Sequence, residues 1–243
     1  MDTEAYLDAL ARDGDALAAA AELGPLDAAV PPCPGWTVAD LVWHVAGVHW
    51  FWRRVVELRA TGHDQVGPEP QRPADADLLA CYRDGLERIH GVLAAADPAT
   101  PVWTWAPQRE VAFVQRRMAQ ETAVHRWDAE AASRAAPAPI EPALAADGID
   151  EFFQFFTAWR RDGAEPLGGS VHVHATDGAG EWLVTESGER LAVSREHRRA
   201  DAAARGTASE LLLLLWRRLT LDAVEVAGDR ALLARLLART DLD

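Results

Sequence analysis

The 243 residues carry 38 acids against 24 basic groups, every one of them arginine, for a formal net charge of −14. So acidic a chain is poorly suited to gripping a nucleic-acid backbone or an anionic lipid surface, although a local arginine pocket for a small anion stays open. Apolar residues at 49% and charged residues at 26% are the proportions of a globular protein, with length for one large domain or two modest ones.

In chain order, residues 3–23 set Tyr6, Leu7, Leu10, Leu17 and Leu23 among alanines and acids, the pattern of an amphipathic helix. Pro31, Pro32, Cys33, Pro34 and Gly35 make a stiff turn. Thr37 is placed to cap a second helix, with Asp40 where a capping-box acid belongs. That helix is expected to reach about Ala60, with Leu41, Val45, Val48, Trp52 and Val55 on one face. A polar, Pro-rich loop (62–73) ends it. Leu78, Leu79, Tyr82, Leu86, Ile89 and Leu93 predict a third helix over 75–96, and a fourth covers about Val111 to Ser133. Pro137, Pro139 and Pro142 read as a linker. A phenylalanine-rich helix is expected from Ala143 to Arg161. The period then changes from helical to alternating: strands at 170–175, 182–185 and 190–194, with a hairpin turn at 177–180. Gly206-Thr207 introduces a strongly apolar helix through Arg218, followed by a short strand at 224–226 and a last helix from Asp229. The expected class is α+β: a four-helix bundle over residues 1–136, then a smaller α+β domain over 137–243.

Cys33 and Cys81 stand far apart and in no C-x-x-C arrangement, which points to a reducing compartment and not to a disulfide scaffold. The N-terminus is acidic and amphipathic, without the basic start and apolar stretch of a signal peptide. The longest strongly apolar run, Leu211 to Trp216, is far too short to span a bilayer. A cytoplasmic protein with no membrane and no nucleic-acid partner is expected.

The chemistry concentrates on the fourth helix. Val114, Met118, Glu121, His125, Asp128 and Ala132 fall on one stripe at spacings of three and four, so a carboxylate and an imidazole sit one turn apart on the inward face. His44 lies among Leu41, Val45 and Val48 on the inward face of the second helix. A buried unpaired carboxylate is costly, and a divalent cation would answer all three polar intruders together. Helical bundles build metal sites from such facing side chains, and three protein ligands leave a position open, as catalytic zinc requires. The plainer account pairs Glu121 with Arg116, Arg117 or Arg126 and bonds His44 to a backbone carbonyl. Asp128 could orient a ligand imidazole or meet an arginine. His172 and His174 show H-x-H spacing with no third ligand nearby in sequence, so exposed or cross-strand histidines are expected there. His49 points off the His44 face, toward solvent or packing. Seven tryptophans (36, 43, 50, 52, 103, 105 and 127) could wall a cleft or fill the core. Cys33 reads as a structural thiol.

Two segments, CPGWTVADLVWHV at 33–45 and ETAVHRWDAE at 121–130, resemble the mycothiol-dependent maleylpyruvate isomerase family of DinB-like metal-binding bundles. GTASELLLLLWRR at 206–218 and VAGD at 226–229 resemble that family's C-terminal, sterol-carrier-like domain. The resemblance implies that His44, Glu121 and His125 ligate a divalent metal, most often zinc. It also implies mycothiol as thiol cosubstrate and an arginine of the second domain that holds a substrate carboxylate. Arg218 is the candidate for that role, with Arg217 and Arg230 as alternatives. The expected activity is cis–trans isomerisation of maleylpyruvate type or thiol S-transfer to a small electrophile, by a monomer. Two other readings stand beside it: a metal-dependent hydrolase of an amide or ester, and a non-catalytic small-molecule binding protein with a structural metal.

Overall fold

The computed structural model describes residues 1–133, 136–158, 163–187 and 190–240, which form two compact units meeting between Ala138 and Pro139. The first is built from four long helices: α1 (Thr3–Glu22), α2 (Val38–Glu57), α3 (Asp75–Ala95) and α4 (Val111–Ala132). The first two begin at side-chain caps. The Asp2 carboxylate accepts the Ala5 N–H at 2.9 Å and starts α1. Thr37 and Asp40 form the expected capping box at the head of α2, the Asp40 N–H donating to Thr37 Oγ1 and the Thr37 N–H to Asp40 Oδ2. The hydrogen bonds from Thr37, joined by one from Arg72, hold the Asp40 carboxyl down at about 2.

In the bundle α1 packs chiefly on α4, and α2 on α3 and α4. Leu10, Leu17, Leu41, Val45, Leu78, Ile89, Val114 and Met118 are fully buried there, each contributing roughly 1.5–3 kcal/mol of burial. Gly14 lets α1 and α3 approach: a Cβ at this position would lie 2.6 Å from the methyls of Leu86. Beside it the Tyr82 hydroxyl donates to the Gly14 carbonyl at 3.1 Å. α4 is covered on most of its circumference, so its polar side chains need partners inside the bundle. Arg126 accordingly donates to Asp13 of α1 at 3.2 Å, to Glu130 at 2.7 Å and to the Ala138 carbonyl at 2.6 Å.

The second unit opens with α5 (Pro142–Phe155), followed by β1 (Val171–Ala175), β2 (Glu181–Ser187), β3 (Arg190–Ser194), β4 (Ala202–Gly206), α6 (Ala208–Leu215), β5 (Glu225–Gly228) and α7 (Arg230–Arg239). The strands form one sheet in the order β3-β2-β1-β4-β5, with β1 and β4 parallel and all other neighbours antiparallel. Val173 and Ala204 face the leucines of α6 and α7 (Leu211, Leu214, Leu233, Leu236), so that face of the sheet is the core face. By strand alternation His172 and His174 stand on the other.

Several expectations need correction. β4 was not foreseen: its sequence, Ala-Ala-Ala-Arg-Gly, has no strand preference of its own and is extended because it pairs with both β1 and β5. α2 stops at Glu57, short of Ala60, because the chain turns through a positive φ of 46° at Arg59. α6 stops at Leu215 for the same reason, Arg217 having φ 60°. The phenylalanine-rich helix, expected to reach Arg161, ends as an α-helix at Phe155 and tightens into a 3-10 turn at Phe156–Ala158; Arg161 itself lies outside the described residues. Among the described residues no helix is long and apolar enough to cross a membrane.

Candidate metal centre

The i, i+4 spacing on α4 places Glu121 and His125 on one face, and α2 brings His44 opposite them. Glu121 Oε1 lies 3.2 Å from His44 Nε2 and 3.2 Å from His125 Nε2, with the two imidazole centroids 5.0 Å apart. Ligands held about 2.0–2.1 Å from a tetrahedral ion stand roughly 3.3 Å from one another. The two measured edges match that spacing, and one ligand atom from each of the three residues falls within 4.8 Å of the other two. The donor set therefore fits a divalent cation of the zinc type. Burial is graded across it: the side chain of His125 is 9% exposed, Glu121 20% and His44 36%, so the trio is reached from the His44 side.

Two of the three candidate ligands are held from behind. Arg117 Nη2 donates to Glu121 Oε2 at 2.8 Å, leaving Oε1 to face the histidines. Of the three arginines considered for Glu121, Arg117 is ion-paired with it. Asp128 Oδ2 lies 2.9 Å from His125 Nδ1, on the same carboxylate that accepts the Cys33 thiol at 3.4 Å. A proton on Nδ1 leaves the Nε2 lone pair aimed at the centre, the arrangement in which imidazole ligands are usually held. Asp128 thus stands where it can orient the His125 imidazole.

Electrostatics agree with geometry. Burial opposes charge on Glu121, but hydrogen bonds from His125 and His44 and the nearby Arg117 overcome it and hold the carboxyl well below its usual range. Burial would also push the His125 imidazole down. Its bonds to Asp128 and Glu121 reverse that and raise it to about 9. With no ion bound, the protonated His125 and Arg117 balance the two carboxylates; a divalent ion would take the place of the proton on His125 Nε2.

The loop before α2 completes the wall. Val30, Cys33 and Trp36 are tied by the bonds Val30 N–H to Trp36 carbonyl, Cys33 N–H to Val30 carbonyl and Trp36 N–H to Cys33 carbonyl, all of 2.9–3.0 Å. Gly35 takes φ 87° inside that turn, a conformation that disfavours any residue with a Cβ. The result sets Trp36 4.8 Å from the His44 ring and stacked 6.3 Å from His125. Trp36 is thereby brought to the candidate metal centre. Trp52, Trp103 and Trp105 join Phe51 and Phe113 in a separate aromatic cluster. His49 is fully buried, hydrogen-bonded to Thr122 at 2.8 Å, and held down near 4 by that burial; it is a packing residue.

Residues 7–130 match the family described as mycothiol maleylpyruvate isomerase N-terminal domain, and residues 143–235 match the corresponding C-terminal domain. The chain belongs to this family. Two solved structures of the mycothiol-dependent maleylpyruvate isomerase, one of them a histidine-to-alanine variant, share the fold at a TM-score of 0.67 and 12% identity. The matches span 94% of this chain and 95% of theirs. Comparison with curated proteins gave no match.

Arg218 belongs to the second unit, where its guanidinium donates to the Trp216 carbonyl at 2.9 Å. The alternatives are engaged elsewhere in that unit: Arg217 donates to Thr240 Oγ1 at 2.9 Å, and Arg230 pairs with Asp222. Two features escaped the sequence reading of this member of the family. Cys33 joins Asp128 across a separation that no local pattern reveals. His172, expected to be exposed or merely cross-strand, is buried, and His174, Glu181 and His197 gather around it. The turn expected at 177–180 would set Leu183 opposite His174; the hairpin turns one residue earlier, with Ala175 bonded to Gly180, and so pairs His174 with Glu181.

Proposed function

We propose that this chain is a metal-dependent enzyme that uses mycothiol, acting as a maleylpyruvate-type cis–trans isomerase or a thiol S-transferase. The observation that carries the reading is the meeting of His44, Glu121 and His125 around one point, on a bundle whose family is defined by that thiol. His44 Nε2, His125 Nε2 and Glu121 Oε1 would hold the ion. When bound, a divalent cation of the zinc class lowers the pKa of a thiol, so that sulfur arrives as thiolate near neutral pH.

The residues of this chain set the stage for that sulfur. Asp128 keeps His125 in the tautomer that presents Nε2, and Arg117 fixes the rotation of Glu121. Trp36 covers one side of the imidazoles and limits water. In the isomerase the thiolate adds to the cis alkene of the substrate, forming a C–S bond while the electron pair moves to the conjugated carbonyl. Rotation about the new single bond follows. The electron pair then returns, the C–S bond breaks, and thiolate leaves the trans product. In a transferase the same attack expels a leaving group and the adduct departs. Arg218 is proposed to hold the carboxylate of the substrate, a bidentate task for which guanidinium is suited.

The test is isomerisation of maleylpyruvate by zinc-loaded protein with and without mycothiol, alongside metal analysis of His44→Ala and His125→Ala. Thiol-dependent turnover is expected, with activity and the metal of this centre lost together in both variants. Turnover of an amide or ester without thiol would favour a hydrolase, and full metal content in both variants would overturn the site. Arg218→Lys is expected to raise KM for a carboxylate substrate with little change in metal content.

A further inference from the structure

The unused histidines of the family's C-terminal domain form a cluster of their own. His172 and His174 project from β1 on the face away from α6, and Glu181 of β2 is registered directly opposite His174. The segment between β3 and β4 returns over this face and delivers His197. The Glu181 carboxylate lies 3.0 Å from His174 Nδ1, 2.7 and 2.8 Å from His197 Nδ1, and 3.8 Å from His172 Nε2. Ring centroids are 5.6–6.1 Å apart, and one ligand atom from each of the four residues lies within 4.8 Å of all the others.

Hydrogen bonding to Glu181 accounts for His197 but not for His172. His172 Nε2 is buried with no hydrogen-bond partner, and at 3.8 Å the carboxylate is beyond bonding reach. A single carboxylate also cannot neutralise three imidazolium rings, so protonating all of them is unfavourable. One divalent ion would satisfy every lone pair at once.

We propose that His172, His174, Glu181 and His197 form a second divalent-cation site, separate from the one between α2 and α4. Three imidazoles and a carboxylate suit zinc, with nickel or copper(II) as competitors. Four protein ligands close a tetrahedral shell, which marks a structural site. Its effect is to clip the β3–β4 segment onto the β1–β2 hairpin.

The test is zinc titration of chelator-stripped full-length protein, with bound metal counted per chain. Wild type is expected to bind about two equivalents, and His125→Ala about one. His197→Ala, changing a side chain that is 77% exposed and so least able to disturb folding, is expected to lose the other equivalent. Circular dichroism of each variant checks that it is folded. In the His125→Ala background, zinc should also slow hydrogen exchange over residues 195–201. Unchanged stoichiometry in both His197→Ala and His174→Ala overturns the proposal, as does an ion retained in His125→Ala without exchange protection in that segment. Loss of zinc from His197→Ala alone, with His125→Ala unaffected, would support this site and count against the α2–α4 centre.

Discussion

At the scale of single residues, the centre depends as much on what stands behind the ligands as on the ligands. His125 would coordinate an ion through Nε2 only with the proton on Nδ1, and Asp128 is placed to hold it there. Replacing Asp128→Ala would leave a buried N–H with no carboxylate, and zinc affinity is expected to fall about 10–100-fold by competition with a chromophoric chelator. Asp128→Asn keeps an acceptor and should recover part of that loss; equal losses in both would show that orientation is not the issue. The i, i+4 arrangement of Glu121 and His125 was legible because helix periodicity alone puts them on one face. Asp128 could be placed on that face but not assigned a partner, since periodicity says nothing about which lone pair meets which proton. Arg117 was one of three candidates for the same reason. Cys33 was illegible: its contact with Asp128 depends on the path of a loop.

At the scale of elements, local chemistry and long-range pairing divide the structure between them. The capping box of α2 was readable from Thr37 and Asp40 because both partners lie within one turn. Thr37→Ala is expected to cost about 1 kcal/mol, measured as a shift in urea midpoint. Asp40 is held down at about 2 in the folded chain against 3.8 for the free group, so its contribution is complete above pH 4 or so. That contribution is lost as pH falls toward 2. Asp40→Asn should therefore flatten the acid limb of the stability profile, and an unchanged limb would refute the assignment. Gly35→Ala, forced to φ 87°, is expected to cost about 1–2 kcal/mol and to loosen Trp36 over the imidazoles, which tryptophan fluorescence of the zinc-loaded protein would follow. β4 shows the opposite case. An alanine-rich segment carries no strand signal, and only its two neighbours make it one. The helix ends at Arg59 and Arg217 were equally hidden, because arginine rarely adopts a positive φ and nothing local announces it.

At the scale of the whole molecule, a shift from helical to alternating periodicity separated a bundle from an α+β unit, and the structure divides at Ala138–Pro139. What that shift could not show was that each unit gathers side chains able to hold a metal, one set across two helices and the other across a sheet face and a loop. The central claim is that the helical set holds an ion with room for sulfur. The most direct measurement is zinc K-edge X-ray absorption on His197→Ala protein loaded with one equivalent of zinc, before and after addition of mycothiol. The account predicts a shell of nitrogen and oxygen at about 2.0–2.1 Å that gains one sulfur at about 2.3 Å when the thiol is added. An unchanged shell, with no sulfur entering, would contradict it.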